Sequence, residues 1–401
     1  MVGAGAAGLL AAIFAARGGA SVSLLERTRD GGRKILISGG GRCNILPSTV
    51  DERRFVTDSS PNTLRKILKS WSLDHQVRFF EAELGQRLVE EQETRKLFPA
   101  SNRARDVRDG LVRIAERSGA RFLPECRVTG LAPIEGGWRV SVAGREALEA
   151  DTVVVATGGL SVPNTGSDGA GLELLRGLGH TIHETYPALT PIVAEPIPFP
   201  GLAGVSLPVT SLTASSGRES AGSSGGFLLT HKGYSGPAVL DVSHVVTRSP
   251  PEGEGRARLV VRWCELDDDG WAAALQPQGR KTIGGVVRER LPDRLGLAIL
   301  ARAGVDPAGP LAQLGRAERR AAIDALVRGE LPWSGHEGYR KAEVTGGGVS
   351  LAEIDPVTME SRRHPGLYLA GEVLDAFGPI GGYNFLWAWA TGRAAGRAAA
   401  G

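Results

Sequence analysis

The stretch "MVGAGAAGLLAAIFAARGGASVSLLER", residues 1–27, decides the fold of this chain. It begins with the pattern G-x-G-x-x-G, and the Ala- and Leu-rich residues 9–17 that follow predict a helix. Glycines in this pattern let the backbone turn tightly and approach a pyrophosphate, while the N-terminus of the helix offers free N–H groups. We therefore expect the diphosphate of a dinucleotide to be bound by Gly3, Gly5, Ala6, Ala7 and Gly8.

A short strand and an acidic residue complete this fingerprint. Residues 21–25 predict a strand, and Glu26 follows Gly8 by 18 residues, where its carboxylate can accept hydrogen bonds from ribose hydroxyls. A lone G-x-G-x-x-G could be only a Gly-rich turn, but helix, strand and acid in register predict a Rossmann-like α/β domain. Only Met1 and Val2 precede the glycines, whereas strands usually run about 5–6 residues. We therefore expect the natural N-terminus to lie upstream of Met1.

Composition and charge narrow the class of protein. The net charge of +3 gives no argument for nucleic acid or an acidic membrane, although arginine outnumbers lysine by 40 to 7. The three cysteines stand apart without a C-x-x-C pair, so the sequence predicts no metal site, no disulfide framework and no dithiol redox pair. No apolar run reaches the roughly 18 residues needed to cross a membrane, and we expect a cytoplasmic protein.

Two later motifs distinguish FAD from NAD as the cofactor. "DTVVVATGG", residues 151–159, predicts a buried strand that ends in Thr-Gly-Gly, and "GLYLAGEVLDAFGPIGGYNF", residues 366–385, predicts a strand, an acid and a Gly-rich turn before the last helix. This order resembles the two-dinucleotide-fold flavoproteins, in which the last helix points its positive end at the flavin. The cofactor-binding residues expected from these motifs are Thr157, Gly158, Gly159, Gly371, Glu372, Gly381, Gly382, Tyr383 and Asn384, and we add Arg27 and Val128.

A second glycine-rich stretch, "GRKILISGGGRCNIL" (residues 32–46), adds cations to the expected site. We predict Arg33 and Lys34 near the diphosphate, with the aliphatic residues 35–37 anchoring the loop inside. The ribityl chain or the ring would pass close to the small residues, and side-chain donors would reach phosphate or flavin carbonyls. These residues are Ser38, Gly40, Gly41, Arg42, Cys43 and Asn44, of which Cys43 is expected to be a small buried residue. The alternative is a surface loop with solvated cations.

The blocks "GRKILISGGGRCN", "FPASNRARDV", "THKGYSGPAVLDVS", "TGGGVSLAEIDPVTMESR" and "GEVLDAFGPIGGYN" together resemble one bacterial family. It is the NAD(P)/FAD-dependent oxidoreductase family that includes bile-acid-reductase-like and aminoacetone-oxidase-like flavoproteins. The resemblance spans residues 3–397 and implies a FAD-binding domain made of two segments, with a domain inserted between them. It implies FAD as cofactor and a small-molecule substrate that it does not identify.

The predicted domain boundaries follow the composition. The FAD-binding domain takes residues 1–190 and 336–401, and the insert takes 191–335, β-rich over about 191–265 and helical over about 266–335. Within the insert, residues 205–214 and 226–230 predict strands, and "SSGRESAGSSGG" (residues 215–226) predicts a flexible hairpin loop.

His231 is the candidate catalytic residue, since it follows a predicted strand beside a small polar cluster. The alternative is a structural histidine that caps the turn of residues 233–236. No second G-x-G-x-x-G unit is evident, so NADH or NADPH would act as a transient reductant across an open cleft.

Three functions remain open. The first is a FAD-dependent oxidoreductase that moves a hydride between flavin and a small organic substrate, with NAD(P)H or O₂ closing the cycle. The second is a non-catalytic FAD-binding sensor, and the third is a flavin-dependent RNA-modifying enzyme, for which the low net charge gives no support. We expect no nucleic-acid partner and no membrane; the oligomeric state is not predicted.

Overall fold

The computed structural model describes residues 1–401, which divide into two compact units. Unit 1 combines residues 1–187 with 343–401, and unit 2 holds residues 188–342. Numbered along the chain, the helices are α1 Ala6–Arg17, α2 Arg33–Ile37, α3 Pro61–Lys69, α4 Leu73–Leu84, α5 Ala104–Arg117, α6 Ala170–Gly177, α7 Pro237–Arg248, α8 Asp268–Ala274, α9 Ile283–Val287, α10 Asp293–Arg302, α11 Arg316–Val327 and α12 Tyr383–Ala398.

The strands are β1 Ser23–Leu25, β2 Leu46–Pro47, β3 Leu88–Glu91, β4 Lys96–Pro99, β5 Arg121–Leu123, β6 Val128–Ile134, β7 Gly137–Val142, β8 Leu148–Ala150, β9 Val153–Val155, β10 Ile182–Ala188, β11 Ile192–Val193, β12 Ser206–Ser216, β13 Glu219–Leu229, β14 Gly233–Ser235, β15 Arg258–Arg262, β16 Gly329–Glu330, β17 Gly335–His336, β18 Val344–Val349 and β19 Leu367–Leu369.

A parallel arrangement of short strands forms the centre of unit 1. β1 pairs with β5, β9 pairs with β19, and Val2 joins the two pairs by parallel bridges to Leu25 and Val155. The predicted strands at residues 21–25 and 151–159 are therefore present, in shorter form. Because all these strands run in the same direction, their carboxyl ends meet at one edge, the edge where Rossmann-type folds bind ligands.

Two helices cover this sheet with very small residues between them. α1 and α12 confirm the helices predicted after Gly8 and at the C-terminus. A Cβ added to Gly392 or Gly396 of α12 would lie less than 3 Å from the backbone of Ala7 or Ala11 in α1. The Ala- and Gly-rich sequences thus allow close helix packing, and Trp387 and Trp389 are buried in the core.

Smaller sheets complete unit 1. β2, β4 and β3 form one antiparallel sheet, β6, β7 and β8 form another, and β10 pairs with β18. α5 is amphipathic, and its buried side includes Val107, Leu111 and Ile114.

Unit 2 is built on a seven-stranded sheet in the order β16-β15-β12-β13-β14-β11-β17. The prediction of a flexible loop over residues 215–226 is wrong, because β12 and β13 pair continuously from Ser211–Ser224 to Ser216–Glu219 and leave only Gly217 and Arg218 between them. α7, which the sequence analysis did not identify, packs against β12 and β13. The Ser, Ala and Gly residues on these strands are small enough for that close packing. The same residues are typical of loops, which is why the prediction from composition was wrong.

No helix of the chain combines the length and the apolar character that a membrane span requires.

Candidate active site

The predicted cofactor residues of unit 1 gather at the carboxyl edge of its parallel strands. Gly3 to Gly8 follow Val2, Glu26 and Arg27 follow β1, Thr157 to Gly159 follow β9, and Gly371 and Glu372 follow β19. Val128 begins β6, shortly after β5 ends. Segments far apart in the sequence therefore meet at one edge because parallel strands place their ends together.

The first glycine turn is packed on one side and open on the other. A Cβ added to Gly3 would lie less than 3 Å from the Ala156 backbone, and one added to Gly8 would lie less than 3 Å from the Gly3 backbone. Both positions therefore exclude a side chain. A Cβ at Gly5 would meet nothing within 4 Å, and Gly5 caps α1 without a side-chain hydrogen bond. The first N–H groups of α1, including those of Ala6 and Ala7, therefore open onto a cradle that fits an anionic diphosphate.

Glu26 is buried next to this turn. Its Oε2 accepts a hydrogen bond from the Ala4 N–H at 2.8 Å, and its Oε1 accepts from the Thr28 N–H at 2.8 Å and the Thr28 hydroxyl at 2.7 Å. These bonds hold the carboxylate at the carboxyl end of β1 and leave lone pairs for further donors. Arg27 is exposed and pairs with Asp168.

The glycine-rich stretch of residues 32–46 begins with a short helix, which a left-handed glycine turn follows. α2 begins after Gly32, and Gly39, Gly40 and Gly41 follow it with φ of +55°, +67° and +85°. A Cβ at Gly40 would meet nothing within 4 Å. Ile35 is buried and anchors the stretch as predicted, but the expectation is wrong for Ile37, which is 54% exposed because it points away at the last position of α2.

The predicted cations differ in their partners. Arg33 donates to Asp30 at 2.8 Å, and Arg42 pairs with Glu91 at 2.8 Å while its guanidinium lies 4.1 Å from the centre of the Phe98 ring. Their contact with a cofactor stays a prediction.

Lys34 lies at the centre of a half-buried polar cluster. Its Nζ donates to Glu372 Oε2 and to Ser161 Oγ, both at 2.6 Å. The Ser161 hydroxyl donates to Glu372 Oε1 at 2.6 Å, and the Thr345 N–H donates to the same oxygen at 3.0 Å. Ser161 and Thr345 therefore fix the orientation of Glu372, and charge-assisted bonds of this kind are the stronger ones.

Thr345 also ties two segments together, and sequence reasoning missed it together with Ser161. Its hydroxyl oxygen accepts from the N–H groups of Leu160 (2.7 Å) and Ser161 (3.1 Å), just after Thr157, Gly158 and Gly159. A Cβ at Gly159 would lie less than 3 Å from the Thr345 side chain, so the close approach requires that glycine. The only signal in the sequence was the position of both residues beside predicted glycine motifs.

Cys43 and Asn44 join the glycine stretch to the last helix. Cys43 is buried, as expected, and burial raises the pKa of its thiol to about 12, which disfavours a reactive thiolate at neutral pH. Asn44 Oδ1 accepts from the Gly382 N–H at 2.9 Å, and its side-chain amide donates to the Leu46 carbonyl at 3.2 Å. Ser38 supports the same turn, because its carbonyl accepts from the Cys43 N–H at 3.0 Å.

The N-terminus of α12 closes this edge. Gly382 caps the helix without a side-chain bond, and a Cβ on it would lie less than 3 Å from the Leu46 backbone. Tyr383 and Asn384 form the first turn of the helix. Tyr383 donates to the Thr49 carbonyl at 3.1 Å, and Asn384 both donates to and accepts from the Gly378 backbone at 2.9 Å. Both side chains thus serve local structure, and their N–H groups remain as donors in the uncapped turn.

His231, the candidate catalytic residue, belongs to unit 2, and a catalytic role for it stays a prediction. It is exposed in unit 2, in the turn between β13 and β14. The Thr230 hydroxyl, rather than His231, caps this turn by accepting from the N–H groups of Lys232 (3.2 Å) and Gly233 (3.0 Å). The structure contains no group of three or more His, Cys, Asp or Glu side chains arranged to hold a metal ion.

Comparison with known proteins shows which family and which relatives this chain is similar to. The HI0933-like protein Rossmann domain family matches residues 1–398. A 3-dehydro-bile acid delta(4,6)-reductase from Clostridium scindens is 33% identical, over 100% of this chain and 98% of its own length. A ribosomal RNA dihydrouridine synthase from Escherichia coli is 32% identical, over 98% of this chain and 95% of its own length.

Among solved structures, a 3-ketosteroid delta1-dehydrogenase from Sterolibacterium denitrificans aligns with a TM-score of 0.52 and 13% identity, over 100% of this chain and 98% of that one. The likeness supports the fold alone.

The chain belongs to the HI0933-like family, and the predicted family and Rossmann-type FAD-binding fold are confirmed. It is an enzyme of the FAD-dependent oxidoreductase class.

Proposed function

We propose that this member of the HI0933-like family uses FAD to reduce a carbon–carbon double bond that is conjugated to a carbonyl group. One observation carries the choice of substrate class. Two relatives that match nearly the whole chain are named for different substrates, a 3-dehydro-bile acid with delta(4,6) unsaturation and a uridine of ribosomal RNA. In both molecules the bond that becomes saturated is conjugated to a carbonyl, so one chemistry accounts for both names.

The residues at the carboxyl edge fit FAD. The open cradle at Gly5 and the uncapped first turn of α1 would take the diphosphate, and Glu26 would accept from the ribose hydroxyls of the adenosine half. The open Gly40 and the first turn of α12 would lie along the flavin half. When bound, FAD supplies hydride transfer, and the protein supplies position and electrostatics.

The Lys34–Glu372 pair would orient the middle of the cofactor. The ammonium group offers a positive charge to phosphate, and the carboxylate, fixed by Ser161 and Thr345, offers acceptors to ribityl hydroxyls. NADH or NADPH remains the proposed reductant, and because unit 1 has a single dinucleotide fingerprint, it would bind transiently rather than at a second nucleotide site of its own.

An anaerobic acceptor assay tests the proposal. The full chain, loaded with FAD, is mixed with NADH or with NADPH, and bleaching of the oxidised-flavin bands identifies the reductant. The reduced protein then receives 2-cyclohexen-1-one, a 3-oxo-delta4 steroid or uridine-containing ribosomal RNA, with cyclohexanone as the saturated control. We expect a conjugated acceptor to restore the flavin bands and the control to leave them bleached. Reoxidation by O₂ alone would contradict the proposed substrate class, and failure to bind FAD would contradict the cofactor.

The RNA-modifying function is the second candidate, favoured by the E. coli relative named as a ribosomal RNA dihydrouridine synthase. Ribosomal RNA transcribed without modifications provides the test. Dihydrouridine formed at one site by the reduced protein would support it, as would RNA binding with a steep salt dependence. A small enone reduced while the transcript stays unchanged would exclude it.

A further inference from the structure

We propose that Ser59, His183 and Asp375 form the proton-transfer group of this enzyme, in which His183 exchanges the proton with the substrate. The inference rests on the proposed reduction of a conjugated double bond. The three residues lie in unit 1 and come from separate parts of the chain: the segment before α3, strand β10, and the segment that follows Glu372.

Asp375 is a buried carboxylate that accepts hydrogen bonds from two hydroxyls. Its Oδ2 accepts from Ser59 Oγ at 2.7 Å and from Thr57 Oγ1 at 3.0 Å, and the residue is 1% exposed. His183 Nε2 lies 3.4 Å from Ser59 Oγ and 3.7 Å from Asp375 Oδ2. In contrast to the carboxylate, the His183 side chain is 28% exposed, so it is not closed off from solvent.

Counting protons at Ser59 assigns the tautomer of His183. The Ser59 hydroxyl has one proton, which it donates to Asp375 in the short bond. Its oxygen accepts from the Leu351 N–H at 3.0 Å and has one lone pair left for His183 Nε2. Nε2 must therefore carry the hydrogen, which leaves Nδ1 as the atom that gains and loses a proton.

The position of Asp375 places this group beside the cofactor edge. Three residues before it, Glu372 pairs with Lys34, and seven residues after it, Gly382 caps α12. The glycines of β18 bring His183 and Asp375 together, because a Cβ at Gly347 would lie less than 3 Å from the Glu184 backbone, and one at Gly348 less than 3 Å from that of Val373. The chain thus passes from the Lys34–Glu372 pair to the first turn of α12 by way of Asp375.

The proposed step balances. Saturation of a double bond conjugated to a carbonyl adds a hydride, with its two electrons, to the β carbon and one proton to the α carbon. The cofactor, when bound and reduced, would supply the hydride, and NAD(P)H would supply the electrons that restore it. His183, protonated on both nitrogens, gives the Nδ1 proton to the α carbon and recovers it from water, while Asp375 provides the counter-charge.

A spectroscopic test does not depend on the substrate. Full-length protein labelled with ¹⁵N-histidine is studied with and without FAD, and the His183 signals are assigned by their loss in His183→Gln. We expect the Nε2–H tautomer, a shift of the His183 signals when FAD binds, and a mixture of tautomers in Ser59→Ala that Ser59→Thr restores. His75→Gln, at an exposed histidine of α4, is the matched control.

The outcomes separate this inference from the proposed function. Protein that binds FAD while the His183 signals stay unmoved, or that has the Nδ1–H tautomer, would overturn the inference and leave the flavoenzyme intact. Protein that binds no FAD would overturn both.

Kinetics give a second readout. With any conjugated acceptor that the wild type reduces, His183→Gln should slow reoxidation by about 10²-fold. With ferricyanide, which takes electrons without protonation at carbon, the rate should stay within about twofold. Equal losses with both acceptors would contradict a role in proton transfer.

Discussion

Two glycine triplets in unit 1 look alike in sequence and differ in structure. Gly39–Gly41 lies in "LISGGGRCN" and Gly346–Gly348 lies in "EVTGGGVSL". All three residues of the first triplet are exposed, and a Cβ added to Gly40 would meet nothing within 4 Å. All three residues of the second are buried, and a Cβ on any of them would lie less than 3 Å from Tyr186, Glu184 or Val373.

The difference shows what each glycine makes room for. Because the second triplet has no side chains, other protein segments fill the space beside it: β10 and the segment after Glu372 approach from two sides. In the first triplet, a Cβ on Gly39 would meet Phe98 at 2.9 Å, but the space at Gly40 is open. Glycine at a protein-filled position supports folding, whereas glycine at an open, left-handed position suits the approach of a ligand.

The largest expected effect is on folding, at the second triplet. Gly347→Ala adds a Cβ into the Glu184 backbone at a residue with φ of +75°. Steric overlap and left-handed strain together should lower the free energy of unfolding by about 3 kcal/mol or more. Urea denaturation of the purified variant measures the loss. A variant of near-native stability would show that β10 can move aside and would remove the contrast between the two triplets.

Thr345, next to the second triplet, should couple stability to cofactor binding. Thr345→Val keeps the shape but leaves the Leu160 and Ser161 N–H groups without their acceptor, which should cost about 1–3 kcal/mol. Since Ser161, whose hydroxyl holds Glu372, loses one of its anchors, FAD affinity should fall by about tenfold, which corresponds to about 1.4 kcal/mol. Denaturation and fluorescence titration with FAD measure the two effects, and Thr345→Ser should restore both. A valine variant with native FAD affinity would show that Glu372 does not need this neighbour.

The first triplet should respond in the opposite sense, with more effect on ligand binding than on folding. Gly40→Ala places a Cβ in open space at φ of +67°, so stability should fall by only about 1 kcal/mol. If the open space belongs to FAD, the dissociation constant should rise by about tenfold.

Gly85 provides the matched control for this variant. It ends α4 with φ of +66° and also has nothing within 4 Å of an added Cβ. Gly85→Ala should therefore lose the same stability and keep native FAD affinity. Equal affinity in both variants would argue that the first triplet is an ordinary surface turn.

A pH-dependent effect concerns acid stability at Glu353, which follows the second triplet in the sequence. Burial opposes ionisation of Glu353, but hydrogen bonds from Arg363, Thr181 and His180 outweigh it and lower the pKa from 4.5 to about 2. Because the folded-state pKa is depressed, this carboxylate stabilises the folded chain above pH 4.5, and that contribution is lost as the pH falls towards 2. Glu353→Gln should flatten the pH dependence of the free energy of unfolding in this window. An unchanged slope would mean that other carboxylates dominate acid unfolding.

Much of the fold could be predicted because it rests on local patterns. α1, α5 and α12 follow from helical periodicity and small residues, and the parallel strands follow from short aliphatic runs. The hairpin of β12 and β13 could not, since Ser and Gly are typical of loops and become strand residues only when α7 packs on them.

The candidate site divides in the same way. Gly5, Lys34 and Glu372 stand in recognisable motifs, and the structure places them at one edge. Their cofactor contacts stay predictions. Ser59, Ser161 and His183 stand in no such motif. Thr345 and Asp375 do, but nothing in their motifs indicates that Thr345 meets Ser161 or that Asp375 meets Ser59, since these partners lie more than a hundred residues away in the sequence.

The sequence by itself determined the dinucleotide fingerprint, the order of the later glycine motifs and, through them, the family and its cofactor class. These are local features, set by backbone freedom at glycine and by the spacing of apolar residues. Only the tertiary structure decided which glycine triplet is open and which is filled, and which hydroxyls orient Glu372 and Asp375. Such contacts join distant segments, and a hydrogen bond between distant residues leaves no periodic trace in the chain that makes it.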